Sequence, residues 1–392
     1  TGDALILGSI NADSRGYRST DGPGQGTDTD RGAGGGAHGG NGGIGQEGHA
    51  GGTGYGSYTQ PTDFGSGGGI RPGNASSNHG GGAIKLTVGG TLTVTGTITA
   101  NGGYGDNGTD RKPGGGAGGS IWITTGTLSG SGHIRANGGG AADNNYDGGG
   151  GGGGRVSIYY TTNNSTLAAL SANGGSSGIG GSAQYGGAGT LLMKQVAQTN
   201  GDLTISSNAT GWSTDISKVA TTVLPSSLTL DNFYISKFGR VDYSSTVTVA
   251  TLTEVSYSGH FNLTGTANLY TLNINNNGWF YSGSTATTTY NSVTWTGGII
   301  TDNGGTMTLL SGGGNLSVPT GSTFYANTPR TFTNITVDGT ITHNTNYNTP
   351  VYKIDLTSTG DLAVNFGGQI NIDSRGYYPG EGPGAGVDAD YG

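Results

Sequence analysis

The sequence predicts an all-β fold: a parallel β-helix (β-solenoid) with rungs of about 20 residues and long Gly-rich loops of polyglycine-II-like character. Three periods carry this reading. A Gly-x-apolar signature recurs about every 20 residues, an Ala-Asn-Gly corner about every 36, and glycine falls at every third position in the loops between.

The shortest rungs are Gly239-Arg240-Val241, Gly259-His260-Phe261, Gly278-Trp279-Phe280, Gly298-Ile299-Ile300 and Gly339-Thr340-Ile341, with Gly321 and Gly360 roughly filling the series. Strand side chains alternate faces, so the third position points inward. Arg240, His260 and Thr340 then meet water, with Trp279 and Ile299 as outward exceptions. Abundant Thr, Val, Ile and Tyr, with few helix-length amphipathic stretches, favour strands over helical or leucine-rich repeats.

The signature continues at Gly96-Thr97-Ile98 and Gly132-His133-Ile134. Ala100-Asn101-Gly102, Ala136-Asn137-Gly138 and Ala172-Asn173-Gly174 mark one repeated corner, where stacked amides can form a ladder. Asn-Gly is also the strongest hairpin signal, so isolated antiparallel hairpins compete locally, although the spacing argues against them here. In the loops, Gly36, Gly39, Gly42, Gly45, Gly48, Gly51 and Gly54 keep a period of three, as do Gly102, Gly105 and Gly108, and Gly175, Gly178 and Gly181. Three residues per turn is the geometry of an extended left-handed helix. Collagen is disfavoured because these triplets nearly lack Pro; the competing reading is a flexible linker.

The two ends match. Gly8-Ser9-Ile10-Asn11-Ala12-Asp13-Ser14-Arg15-Gly16-Tyr17 returns as Gly368-Gln369-Ile370-Asn371-Ile372-Asp373-Ser374-Arg375-Gly376-Tyr377. Gly22-Pro23-Gly24, Gly26, Asp28, Asp30 and Gly32 follow as Gly382-Pro383-Gly384, Gly386, Asp388, Asp390 and Gly392. The expected organisation is therefore a Gly-rich half over 1–203, a regular half over 204–367, and the start of the next repeat over 368–392. Thr1 reads as an internal or processed end. Gly8, Ile10, Asn11, Asp13, Arg15 and Tyr17, with Gly368, Ile370, Asn371, Asp373, Arg375 and Tyr377, are the expected assembly junction.

Composition narrows the function classes. Of 392 residues 86 are Gly and only 10% are charged, far from an ordinary compact enzyme. The net charge of −8 comes without basic clusters, which argues against nucleic acid and anionic membranes as partners. No apolar run reaches the length of a membrane span. The absence of Cys removes disulfide and thiolate chemistry but leaves the compartment open.

A resemblance enters with Gly118-Gly119-Ser120-Ile121-Trp122-Ile123, Gly130-Ser131-Gly132-His133-Ile134-Arg135-Ala136-Asn137-Gly138-Gly139, and the poly-Gly run into Arg155-Val156-Ser157-Ile158-Tyr159-Tyr160. This stretch resembles the glycine-rich β-helical repeats of very large bacterial cell-surface proteins. It covers roughly Gly81 to Lys194 and implies an extracellular or cell-surface structural component without a catalytic motif. The Gly-poor half after about Thr204 departs from it and looks more like an adhesin shaft.

Catalytic patterns are sparse. Asp231, Asp242, Glu254, Asp302, Asp338, Asp355 and Asp361 sit at different offsets from the rung Gly, unlike the converging acids of a polysaccharide-cleaving β-helix. No G-x-S-x-G elbow is evident. His38 and His49 lie apart without Cys partners, a poor zinc pattern. Asp28 and Asp30, echoed by Asp388 and Asp390, place carboxylates on alternate positions before a Gly; this is a partial calcium loop or an Asx turn. Sequons at Asn74, Asn107, Asn163, Asn164, Asn208, Asn262, Asn315 and Asn334 are no more than a Ser/Thr/Asn-rich chain yields by chance.

The expected function is a non-enzymatic extracellular repeat that stacks on copies of itself into a fibre, filament or surface layer. The alternatives are an adhesin shaft gripping surface glycans through Trp279, Trp295, Tyr257 and Tyr281, and a polysaccharide-degrading enzyme.

Overall fold

The computed structural model describes residues 2–29, 31–70, 77–105, 113–141, 147–178, 182–207, 215–307 and 314–385. The chain is nearly all β. Among the described residues the only helical pieces are the single 3-10 turns Gln46–Gly48 and Ile216–Lys218. Two compact units form, Thr1–Asp242 and Tyr243–Gly392.

In the first unit, Ala4–Ile6, Ala83–Val94, Ser120–Gly130, Arg155–Ser165 and Thr190–Gln195 pair in that order, all parallel. Alternation puts Ile84, Ile121, Val156 and Leu191 in one inward column through direct register. On the outer face Lys85 lies over the ring of Trp122, its registered neighbour, at 3.9 Å. Gly89 and Gly90 together oppose Gly126, a bulge that the Asp3 carboxylate closes by accepting the Thr91 N–H at 2.6 Å. A second parallel sheet joins Ser9–Asn11, Thr97–Thr99, His133–Arg135 and Ala169–Ser171, with Ile10, Ile98, Ile134 and Leu170 in register.

One step in this unit runs the other way. Asp202–Ser206 pairs antiparallel to Thr190–Gln195 and parallel to Ser227–Ser236. The reversal uses an Asn-Gly turn: Gly201 has φ +93°, and Asp231 accepts the N–H groups of Asn200 and Gly201 at 3.1 and 2.9 Å. The connection Val196 to Gly201 is six residues long and turns first between Gln195 and Gln198, where the Gln198 N–H bonds to Gln195 O at 2.9 Å; Asn200-Gly201 then aims the returning strand.

In the second unit, Thr246–Val255, Thr266–Ile274, Thr287–Trp295 and Thr306–Met307 form one parallel ladder. A second runs through His260–Leu263, Trp279–Ser282, Gly298–Asp302, Ser322–Ala326, Thr340–Thr342 and Gln369–Ile370. Its inward column is Phe261, Phe280, Ile300, Phe324, Ile341 and Ile370. Phe261, Phe280, Ile300 and Ile341 are third positions of the sequence signature, Phe324 lies one residue further from Gly321, and Leu362, the third position from Gly360, falls in another ladder. Val241, in the first unit, is likewise fully buried. Leu316–Val318, Ile335–Val337 and Leu362–Val364 make a third ladder, and Arg330–Phe332 pairs with Leu356–Ser358. Before Gly278, Asn276 and Asn277 both take positive φ and the Gly278 N–H closes the turn on Asn275 O at 2.8 Å. Tyr257-Ser258 does the same before Gly259.

The glycine loops of the first unit pack as a second layer. Segment Gly149–Gly154 shows its rule: the N–H groups of Gly149 and Gly152 go to Ala33 O and Gly36 O, those of Gly150 and Gly153 to Gln184 O and Gly187 O, and those of Gly151 and Gly154 to Gly139 O and Ala136 O. Every third donor returns to the same neighbour, the pattern of a three-residue turn. Its carbonyls meanwhile accept from Gly115 and Gly118, from Gly40 and Gly43, and from Gly175. Six backbones thus surround one, and all six of these glycines are buried.

Such contact excludes side chains. A Cβ on Gly152 would overlap the Gly40 carbonyl, whereas one on Gly8 would meet nothing within 4 Å. Gly152→Ala is expected to cost about 3 kcal/mol, the upper range for overpacking plus strained hydrogen bonds, and Gly8→Ala less than about 0.5 kcal/mol. Urea midpoints of the two variants check this; equal effects would show the layer to be loose.

Candidate functional site: two matched edges

The repeated motifs fold alike. In both copies an Asn side chain accepts the N–H two residues on, Asn11 from Asp13 and Asn371 from Asp373, each at 2.8 Å. Ser14 and Ser374 take positive φ, 53° and 58°, and the Arg15 and Arg375 N–H groups bond to Ala12 O and Ile372 O. Gly22 and Gly382 both have positive φ and lie against the rings of Tyr17 and Tyr377. The structure also extends the match upstream. Gly2-Asp3-Ala4-Leu5-Ile6 corresponds to Gly360-Asp361-Leu362-Ala363-Val364, so the strand Ala4–Ile6 has Leu362–Val364 as its counterpart, with a turn two residues longer before Gly368.

Each motif forms the outer edge of its ladders. Ala4–Ile6 and Ser9–Asn11 end the sheets of the first unit, and Leu362–Val364 and Gln369–Ile370 end two sheets of the second. The edges are apolar. Leu5 and Leu7 are 60% and 72% exposed; Leu362, Val364, Ile370 and Ile372 are 44–56% exposed, and Phe366 is fully so.

Behind the first edge runs a polar column. The Asp13 carboxylate accepts the Asn101 N–H at 2.6 Å, Asn101 Oδ1 the Asn137 N–H at 2.9 Å, and Asn137 Oδ1 the Asn173 N–H at 2.9 Å. The corner ladder is therefore side chain to backbone.

The other candidate residues are placed as follows. Asp28 Oδ1 accepts the Ile70 N–H at 2.9 Å, while Asp30, Asp388 and Asp390 lie outside the described residues, as do Gly108, Gly181, Gly386, Gly392, Asn74, Asn107 and Asn208. Among the described residues no three His, Cys, Asp or Glu side chains gather as a metal site. Asp302 is buried and forks onto Arg330, whose Nη2 donates at 2.6 Å. That bond raises the guanidinium pKa. Asp242 pairs with Arg240 and Asp355 with Lys353, both at 3.0 Å, and Asp338 accepts from Asn365. Trp279 is half-buried, donates to Thr301 Oγ1 at 2.9 Å, and its ring meets those of His260 and Tyr325.

Sequence reasoning missed one cluster, buried in the first unit. Arg155 donates to Tyr55 O, Thr190 Oγ1 and Val223 O at 2.9, 3.3 and 3.2 Å. Burial pulls its pKa down to about 10, with the Asp63 charge opposing. His38 Nδ1 bonds to Gly118 O at 3.0 Å, its ring lies 5.0 Å from that of Tyr55, and its buried Nε2 finds no hydrogen-bond partner among the described residues. Burial first, and the Arg155 charge second, push the His38 pKa down to about 3. The Tyr55 hydroxyl donates to Phe64 O at 2.5 Å, and burial raises its pKa. A neutral imidazole and an embedded guanidinium here clamp loop 54–66 onto the sheet.

Comparison with known proteins finds no matching family model, curated protein or solved structure.

The His38 shift has a signed consequence. Its folded pKa lies below the unfolded value of about 6.5, so the stability it confers is complete above that pH and is lost as pH falls toward 3. Between pH 6.5 and 5 wild type should lose up to about 1.4 kcal/mol per pH unit from this group. Denaturant midpoints across that window should fall less steeply in His38→Asn, and identical slopes would refute the assignment.

Proposed function

We propose that this chain is a repeat of a glycine-rich parallel β-helix that stacks end to end on further copies of the same sequence, building an extracellular fibre, filament or surface layer. The observation that carries the proposal is the pair of matched apolar edges, one ending sheets of the first unit and one ending sheets of the second, each followed by the same Asn-x-Asp turn. Parallel registers column after column, with wide loops folded into a side layer, support a solenoid path. A stacked contact of this kind is heterologous and does not close on itself, which is what a filament requires.

Several features support a structural role over the alternatives. The mapped carboxylates hold turns and ion pairs instead of converging on a groove. Trp279 is engaged by neighbouring side chains, which reads as a stabilising ladder on the outer face more than as a glycan platform. Scarce charge and abundant glycine suit a polymer held by backbone bonds. Covering Leu362, Val364, Ile370 and Ile372, each about half exposed, would contribute about 1 kcal/mol apiece.

Electron microscopy of the purified protein tests the proposal. Thin unbranched filaments are expected from wild type, and Ile370→Asp should abolish or shorten them while the main thermal transition stays in place, because Ile370 lies at the edge of its column. Compact monodisperse particles from wild type at high concentration would refute it.

A further inference from the structure

We infer that the C-terminal edge receives one particular part of a further copy joined in tandem: the strands equivalent to Leu92–Val94 and Thr97–Thr99 with the glycine loop around Gly65, Gly80 and Gly81. The register is the one that residues 3–17 already hold in this chain. This rests on the assembly reading above and supplies its atomic register.

The template lies within the structure. Ala4 to Ile6 pair with Leu92 to Val94, and Ser9, Ile10 and Asn11 pair with Thr97, Ile98 and Thr99. The counterparts Leu362 to Val364 and Gln369 to Asn371 have the same sequence pattern and the same turn, with their outer edges open. Substituting one motif for the other joins the inward columns without a break. Ile335 and Leu362 would run into Leu92 and Leu128, Val337 and Val364 into Val94, and Ile341 and Ile370 into Ile98 and Ile134. The exposed Asp373 carboxylate would take the next Asn101 N–H, as Asp13 does here, and extend the polar column across the junction.

Two glycines support this independently. Gly16 is glycine for a visible reason: a Cβ there would overlap the carbonyls of Gly65 and Gly81, and its N–H donates to Gly80 O at 2.7 Å. Gly24 is likewise enclosed, by Thr53 O and Ala37, with its N–H on Ser66 Oγ at 3.0 Å. Their counterparts Gly376 and Gly384 have nothing within 4 Å and do not take positive φ. Neither sterics nor backbone conformation calls for glycine there within one copy. A glycine layer seated on the edge does.

The chain has no cysteine, so engineered pairs report without background. In a two-copy chain, with Arg18–Gly392 repeated directly after Tyr377, Gln369→Cys should form a disulfide with Thr97→Cys of the second copy. The pair Ser9→Cys and Thr97→Cys within the first copy is the folding control, since those hydroxyls lie 3.0 Å apart. Gly376→Ala should lower the melting temperature of the two-copy chain and leave that of the single copy unchanged. Cross-linking only to a shifted partner such as Thr95→Cys or Thr99→Cys, or a Gly376→Ala that is neutral in both chains, overturns the register. If scattering shows the length growing by one repeat while the predicted disulfide fails, the register falls and the assembly reading stands. If the control disulfide forms and the two copies behave as separate beads, both fall.

Discussion

A peptide group buried away from water must find a hydrogen-bond partner, and in the first unit that demand is met by bringing backbones together from every side. Around Gly149–Gly154 the donors leave in three directions and the acceptors receive from three others. Such contact is possible only where no Cβ intrudes, so glycine is a steric requirement here and the entropy lost on ordering it is offset by backbone bonds. The aliphatic columns of this unit can be thin because the glycine layer covers one side of the sheets with its own backbone.

Side chains act at the places where stacked backbone alone leaves something unfinished. At the corner, Asp13, Asn101 and Asn137 each supply one acceptor to the next chain along, the last taking the Asn173 N–H, so the turn is bonded along the ladder. Where a loop crosses the sheet, Arg155 gathers acceptors from three separate segments, and His38 fills the adjoining space as a neutral ring. In the second unit, where the described residues form no glycine layer, a bidentate ion pair between buried Asp302 and Arg330 ties two strands. Removing one partner of such a pair leaves a buried charge, so these groups lock arrangement more than they add net stability.

Periodicity made much of this legible. The 36-residue recurrence of Ala-Asn-Gly located three consecutive corners, and the Gly-x-apolar offset identified Phe261, Phe280, Ile300 and Ile341 of one column, missing Phe324 because its strand starts one residue later after Gly321. The reversal between Gln195 and Asp202 is hidden in the sequence: its hydrogen-bonded turn, from Gln195 to Gln198, contains neither Gly nor Asn, and Asn200-Gly201 stands only at the far end of the connection. The two-residue turns before Gly259 and Gly278 were also hidden, because Tyr257 and Ser258 are unusual at positive φ and only the ladder imposes it. Asp302 and Arg330 lie 28 residues apart at no common offset, so nothing in the sequence joined them. Arg155 left one faint signal, a lone cation between a glycine run and an apolar strand.

The two matched motifs bear on how such a molecule manages its open strands. Soluble proteins usually blunt sheet edges with lysine, proline, a bulge or a covering loop. Here the outer strands carry Leu5, Leu362, Val364 and Ile370, and the charges of each motif sit in the turns, where Asp13 and Asp373 follow the strand. An edge so composed is stable in water only at a cost. In the assembly proposed above each added copy would remove that cost in the same amount, and because one motif matches the other, addition at one end would recreate the surface it covers. Growth on that proposal would gain a constant amount per repeat, its extent set by how many copies are present.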